Sequence, residues 1–244
     1  MTVVNKKMKF VDTTFDTRSD SNGGDPDKKS KTLKMFHKVL WEKELPNGKL
    51  FSLNDKALNS YLLHKSTLGE FNLTSDAIIH TYSQWKRTQN LISCVETNKI
   101  EEFRAIGRTI GGYIIFPGNR IENLNTINQE RGTNKYINDR FDITLECIKR
   151  FYNNEESPLF TTLKRYDKFF MLFETFKQYC EFFLLNDLVE RGFNKIKFFI
   201  PFSNFGDRTL PSDLKEYEEY RKNCMQFVKK RNKRILNQQK NVKH

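Results

Sequence analysis

The chain has 244 residues, a net charge of +12, 37% hydrophobic residues and 22 phenylalanines. That length and apolar content support a packed core, so wholesale disorder is excluded. No C-x-x-C pair occurs among the four cysteines and no H-E-x-x-H among the four histidines, which removes the usual zinc and redox motifs and reads the cysteines as reduced.

The charge is unevenly placed. Residues 1–34 carry a net +3, residues 35–220 are balanced, and residues 221–244 hold nine Lys/Arg and no acid. A basic block of this kind attracts polyanions, so Lys229, Lys230, Arg231, Lys233 and Arg234 are candidate nucleic-acid contacts. The alternative is a basic helix that docks an acidic protein partner. Residues 1–10 form no apolar leader and no lipidation motif is found, so the expectation is a cytoplasmic protein that does not use a membrane.

In chain order, 8–15 reads as a short strand. The polar loop 16–31 follows, with Asn22-Gly23-Gly24 and Asp25-Pro26 as turn signals. It offers Asp16, Arg18, Asp20, Asp25 and Asp27, which turn chemistry or a weak metal site would each explain. Ser30 is a cap for a helix carrying Leu33, Phe36, Leu40 and Trp41 inward. Short strands are expected at 49–53, 61–64 and 69–73, and Ser75-Asp76 opens a helix over 77–85.

A helix spans 98–108. The continuously apolar run Gly111 to Phe116, ended by Pro117-Gly118, is the clearest strand. A loop over 119–132 joins it to a helix over 133–152. Loop amides, the helix dipole and the cations Arg120 and Arg131 would converge there on an anion, with Asn128 beside them. Arg18 joins this phosphate-binding set. On the 133–152 helix, Asp139, Asp142 and Glu146 share one face at i, i+3 and i+7. They are either a solvated face or a catalytic carboxylate set in which Asp139 and Asp142 hold a divalent ion such as Mg²⁺.

Ser157-Pro158 starts a further helix. The stretch Tyr166 to Leu188 has 14 apolar or aromatic residues in 23 and reads as one central buried helix. Charged residues inside it argue against a membrane span. A second buried strand is expected at 195–202 and a last helix from Pro211. The result is a helix-rich α+β domain over 1–237, a small sheet packed by long helices, with a basic tail at 238–244 that is expected to be disordered. His64-Lys65-Ser66 resembles the His-x-Ser/Thr strand element of some ADP-ribosyltransferases, a third and least favoured reading.

The motifs Phe15-Asp16-Thr17-Arg18-Ser19-Asp20, Asp25-Pro26-Asp27, Ile110-Gly111-Gly112, Phe116-Pro117-Gly118, Thr126-Ile127-Asn128, Arg131-Gly132, Asp139-Arg140-Phe141-Asp142, Leu145-Glu146-Cys147 and Phe182 to Asp187 are similar to a bacterial family known only as a domain of unknown function. The resemblance runs from about Phe15 to Ile235. It implies a single domain of bacterial or phage origin and transfers no activity. The functional expectation is therefore a protein that engages nucleic acid or a nucleotide, with metal-assisted phosphate chemistry at the carboxylate face.

Overall fold

A computed structural model describes residues 10–56 and 62–241. Four strands form an antiparallel sheet in the order β1-β2-β3-β4: Asn54–Asp55, Leu62–Ser66, Gly69–Ala77 and Tyr113–Pro117. Helices α1 (Pro26–Lys29) and α2 (Lys31–Trp41) precede the sheet. Helices α3 (Gln89–Ile92) and α4 (Thr97–Gly107) lie between β3 and β4. After β4 come α5 (Ile127–Thr133), α6 (Phe141–Tyr152), α7 (Phe160–Arg165), α8 (Asp167–Met171) and α9 (Phe176–Phe182), followed by the long α10 (Leu214–Asn241). The architecture is helix-rich α+β.

Several expectations hold locally. The Ser30 hydroxyl caps α2 by accepting from the Leu33 amide at 3.0 Å, and the stripe Leu33, Phe36, Leu40, Trp41 is buried. β4 is buried at every position. Gly111, expected to open this strand, lies instead in the 3₁₀ turn Ile110–Gly112 before it and gives α10 room: a Cβ there would sit on the Asn232 side chain and 2.9 Å from the Val228 carbonyl.

Others are corrected. Residues 10–15 form a turn and not a strand, while Met8 and Lys9 lie outside the described residues. Residues 49–53 form only an isolated bridge between Glu44 and Leu50, and 195–202 only one between Val189 and Ile196. Ser75 and Asp76 do not open a helix, because they pair with Ile115 and Ile114 and extend β3. The 119–132 loop contains α5, started by a Thr126/Gln129 capping box. The helix expected over 133–152 begins only at Phe141, since Asn138 and Asp139 take left-handed backbone, φ 48° and 60°.

The aromatic stretch is likewise not one helix. Left-handed Glu174 (φ 58°) and Leu184 (φ 55°) break it, and Thr175 starts α9 by accepting from the Gln178 amide. The break turns the phenyl rings toward one another. Phe173 contacts Phe169, Tyr179, Phe182 and Phe183 at centroid separations of 5.0–5.4 Å. These rings are the centre of the core. The last helix also runs beyond 237 to Asn241, so the start of the expected tail is helical. Residues 242–244 of that tail lie outside the described residues.

Candidate active site

The site is assembled from four segments. The first is α1, a single turn capped by the Asp25 carboxylate and carrying Asp27. The second is the end of β3, which supplies Ser75 and Asp76. The third is the segment that follows, where His80 and left-handed Tyr82 (φ 56°) are held from α10. There the Tyr220 hydroxyl donates to the His80 carbonyl at 3.1 Å and the Tyr217 hydroxyl to the Thr81 carbonyl at 2.9 Å. The fourth is the turn from α5 into α6, with Arg131 and Asp139.

Arg131 is fully buried and organises the cluster. Its Nη1 bonds the Asp76 carboxylate, its Nη2 lies 3.2 Å from Asp139 Oδ1, and its Nε donates to the Thr144 hydroxyl at 3.0 Å. The guanidinium stacks between Phe116 and Phe141. The Asp139 amide donates to the Arg131 carbonyl at 2.9 Å, which fixes the left-handed turn. The other Asp139 oxygen, Oδ2, lies 3.0 Å from His80 Nε2. Tyr82 ties this turn to the third segment by donating to the Asn138 carbonyl at 2.8 Å.

Asp27 completes the cluster. The residue is half-buried, but its Oδ1 is shut off from solvent and has no hydrogen-bond partner among the described residues. The Ser75 hydroxyl, the Asp76 carboxyl and His80 are its electrostatic neighbours. Nearby, the Tyr113 phenol meets the Thr17 hydroxyl at 2.7 Å; burial raises the pKa of that phenol, and Asp27 is close enough to add to the rise.

The carboxyls are driven apart in protonation. Burial, reinforced by the charge of Asp76, pushes Asp27 up to about 7. Burial also raises Asp76, against the pull of Arg131. For Asp139 burial is outweighed by His80 and Arg131, and its pKa falls. His80 rises for the reciprocal reason, since the Asp139 carboxylate overcomes the burial that disfavours an imidazolium.

The expected sites are partly regrouped. Asp139, Asp142 and Glu146 do not share a face. Asp142 is buried against Arg140 and accepts from the Phe199 amide at 2.8 Å, and Glu146 pairs with Lys149 and Arg150 at 2.7 and 2.9 Å. The carboxylates expected to share Mg²⁺ are thus held by separate arginines. Among the described residues no group of three or more His, Cys, Asp or Glu is arranged to hold a metal ion. Arg120 is exposed and bonds Gln129 at 3.2 Å. Asn128 is half-buried with an unpartnered Oδ1. Among the described residues neither side chain shares a hydrogen bond or ion pair with Arg131, whose donors are taken by Asp76, Asp139 and the Thr144 hydroxyl. Arg18 is exposed and makes no ion pair among the described residues.

Arg231 is no surface contact. It is fully buried and donates to the carbonyls of Phe183, Gly111 and Tyr113. Lys229, Lys230, Lys233 and Arg234 are exposed, with Lys229 3.8 Å from Glu102 and Arg234 2.5 Å from Asp187. His64 is buried between Phe51 and Phe71 with Nδ1 3.0 Å from the Ser52 carbonyl, so the tripeptide resemblance places a core histidine. Sequence reasoning missed Asp76 and His80. Asp76 reads as a helix cap, and a single histidine with no spaced partner carries no motif.

The fold and this cluster define a helix-rich α+β protein with a partly buried carboxylate–histidine centre built on a fully buried arginine. The chain belongs to a family of unknown function, DUF6994, whose model matches residues 11–235. No curated protein and no solved structure matches it. No helix among the described residues is long and apolar enough to cross a membrane.

Proposed function

We propose that the protein is an enzyme that works by general acid–base catalysis at Asp27 and the His80–Asp139 pair. The observation that carries this is Asp27 Oδ1, a sealed and unpartnered carboxyl oxygen beside an ion-paired histidine. Titratable neighbours pushed to opposite protonation states are the arrangement that acid and base roles require. Near neutral pH Asp27 is poised between donor and acceptor, while Asp139 remains a carboxylate that orients His80.

The substrate class follows from charge. Arg131 is taken up by Asp76 and Asp139 and presents no free cation to a phosphoryl group, whereas the Asp27 carboxyl can serve a reacting carbon that gains positive charge, as in cleavage of a glycosidic bond. The exposed cation of Arg18 lies on the 3₁₀ turn Thr17–Asp20 that packs against α1, suited to the phosphate of a nucleotide. The reading is therefore a nucleotide or nucleoside substrate with its sugar at Asp27. Incubation with nucleosides, nucleotides and NAD, followed by proton NMR, tests it. Wild type releases free base, and Asp27→Asn and His80→Asn each lose roughly 10²-fold or more, an order-of-magnitude expectation. Equal turnover by Asp27→Asn would overturn it.

A second reading rests on α10. Lys222, Lys229, Lys233 and Lys240 are exposed and recur at seven, four and seven residues, so they lie within about 20° of one line along the helix. This line supports the binding of a nucleic-acid backbone. A salt titration of duplex DNA binding tests it: Lys229→Glu with Lys233→Glu should flatten the log–log slope by about two. Binding of an acidic protein in place of DNA would favour the docking alternative.

A further inference from the structure

We propose that Trp41, His37 and Ser75 form a one-way hydrogen-bond chain that aims the Asp27 carboxyl and leaves Oδ1 as its proton-carrying atom. This rests on the reading of Asp27 as an acid–base group and names three positioning residues for it.

The direction of the chain follows from donor chemistry. An indole N–H donates and never accepts. Trp41 Nε1 lies 3.0 Å from His37 Nδ1, so Nδ1 is the acceptor and the ring proton is on Nε2. Nε2 lies 2.9 Å from the Ser75 hydroxyl oxygen and donates to it. A serine hydroxyl has one proton, and with His37 supplying a donor that proton points onward. Helix α1 packs against β3 and brings the Asp27 carboxyl, whose pKa the Ser75 hydroxyl pulls down against burial, into place as its acceptor.

The chain cannot readily reverse. His37 is fully buried between α2 and β3. Burial, helped by the charge of Arg231, brings its pKa down to about 3, so the ring stays neutral. Trp41 is held in the same core by Phe182, Phe183 and the Arg231 guanidinium. Asp27 is faced in addition by Asp76 at the end of β3, by His80 in the segment after it, by Asp25 on its own turn and by the Tyr113 phenol of β4. Ser75 is the neighbour among them whose hydroxyl favours the carboxylate form, against the burial and the Asp76 charge that oppose it.

The test is a carboxyl-¹³C NMR titration of Asp27 in the full chain, assigned with Asp27→Asn, alongside ¹⁵N shifts of His37. The expected result is an Nε2-protonated His37 from about pH 5 to 8, since an unperturbed imidazole would titrate inside that range. Ser75→Ala and His37→Leu should each raise the Asp27 pKa by about 0.5–1 unit, the worth of one lost hydrogen bond. His37→Gln, which keeps an N–H where Nε2 stands, should leave it near wild type and shows that the fold is retained. A proton on His37 Nδ1, or an Asp27 titration indifferent to Ser75→Ala or His37→Leu, would overturn the chain. Unchanged turnover by Asp27→Asn would instead sink the catalytic reading and leave these titrations standing.

Discussion

Arg231 grips the Phe183 carbonyl twice, from Nε at 3.1 Å and from Nη2 at 2.9 Å, deep in the core. Its Nη1 reaches the Gly111 and Tyr113 carbonyls at 3.0 and 2.6 Å. Backbone dipoles, not a carboxylate, hold this charge. We predict that Arg231→Met lowers unfolding free energy by about 3 kcal/mol in urea titration, since three buried carbonyls lose their donors. Arg231→Lys should recover little, because a point-like ammonium cannot reach three acceptors in fork geometry. A loss below ~1 kcal/mol for the methionine variant would refute this account.

The Asp27 carboxyl gives stability a pH signature. Its folded pKa of about 7 stands above the ordinary carboxyl value of 3.8, so the folded state binds the extra proton between those values. Its contribution is complete below about pH 4 and is lost as pH rises to about 7. Asp27→Asn should therefore raise the melting temperature at about pH 8 and have much less effect at about pH 4. His37 works in the opposite sense: its folded value of about 3 lies below 6.5, so its share of stability is present above pH 6.5 and is lost on acidification. Calorimetry across about pH 4–8 would check both, and an Asp27→Asn effect independent of pH would count against the first.

His80 should titrate above an ordinary histidine because Asp139 Oδ2 lies 3.0 Å from its Nε2. In Asp139→Asn that carboxylate is gone, burial and Arg131 act unopposed by it, and the His80 pKa should fall below the wild-type value. Proton NMR of the imidazole reads both. An unchanged titration in the variant would show that the pair does not couple.

Arg140 and Asp142 are both fully buried. Arg140 also donates to the carbonyls of Thr209 and Ile200, and Asp142 accepts from the Phe199 amide. Breaking one partner strands the other, so Asp142→Leu should destabilise by about 3–5 kcal/mol. Replacing both with leucine and methionine should be less damaging than the two single losses added together. A double-mutant cycle measures this, and strict additivity would contradict it.

Much of the fold was legible because it is written locally. Ser30 caps α2, the run before Pro117 is a buried strand, and the apolar spacing of α4 and α10 is helical. What was hidden depends on partners remote in sequence. Ser75 and Asp76 look like a helix start until β4 pairs with them. The apolar periodicity that begins at Tyr166 offered no warning either. That aromatic run is helical in composition, yet Glu174 and Leu184 turn left-handed because ring packing there outweighs helix continuity. Within the site, Arg131 was visible as a cation in the loop before a helix and Asp139 as one of three carboxylates expected on that helix. Their convergence with Asp27 and His80 needed the tertiary structure, as did the separation of Asp142 and Glu146 from Asp139.

The near-contact of Gly111 with α10 has a consequence for how the protein is made. The turn that leads into the edge strand β4 meets Arg231 and Asn232, residues about 120 positions later in the chain. Nascent protein therefore cannot finish its interior before the closing helix emerges from the ribosome. Deleting that helix would yield an aggregation-prone stump, not a folded protein stripped of one surface.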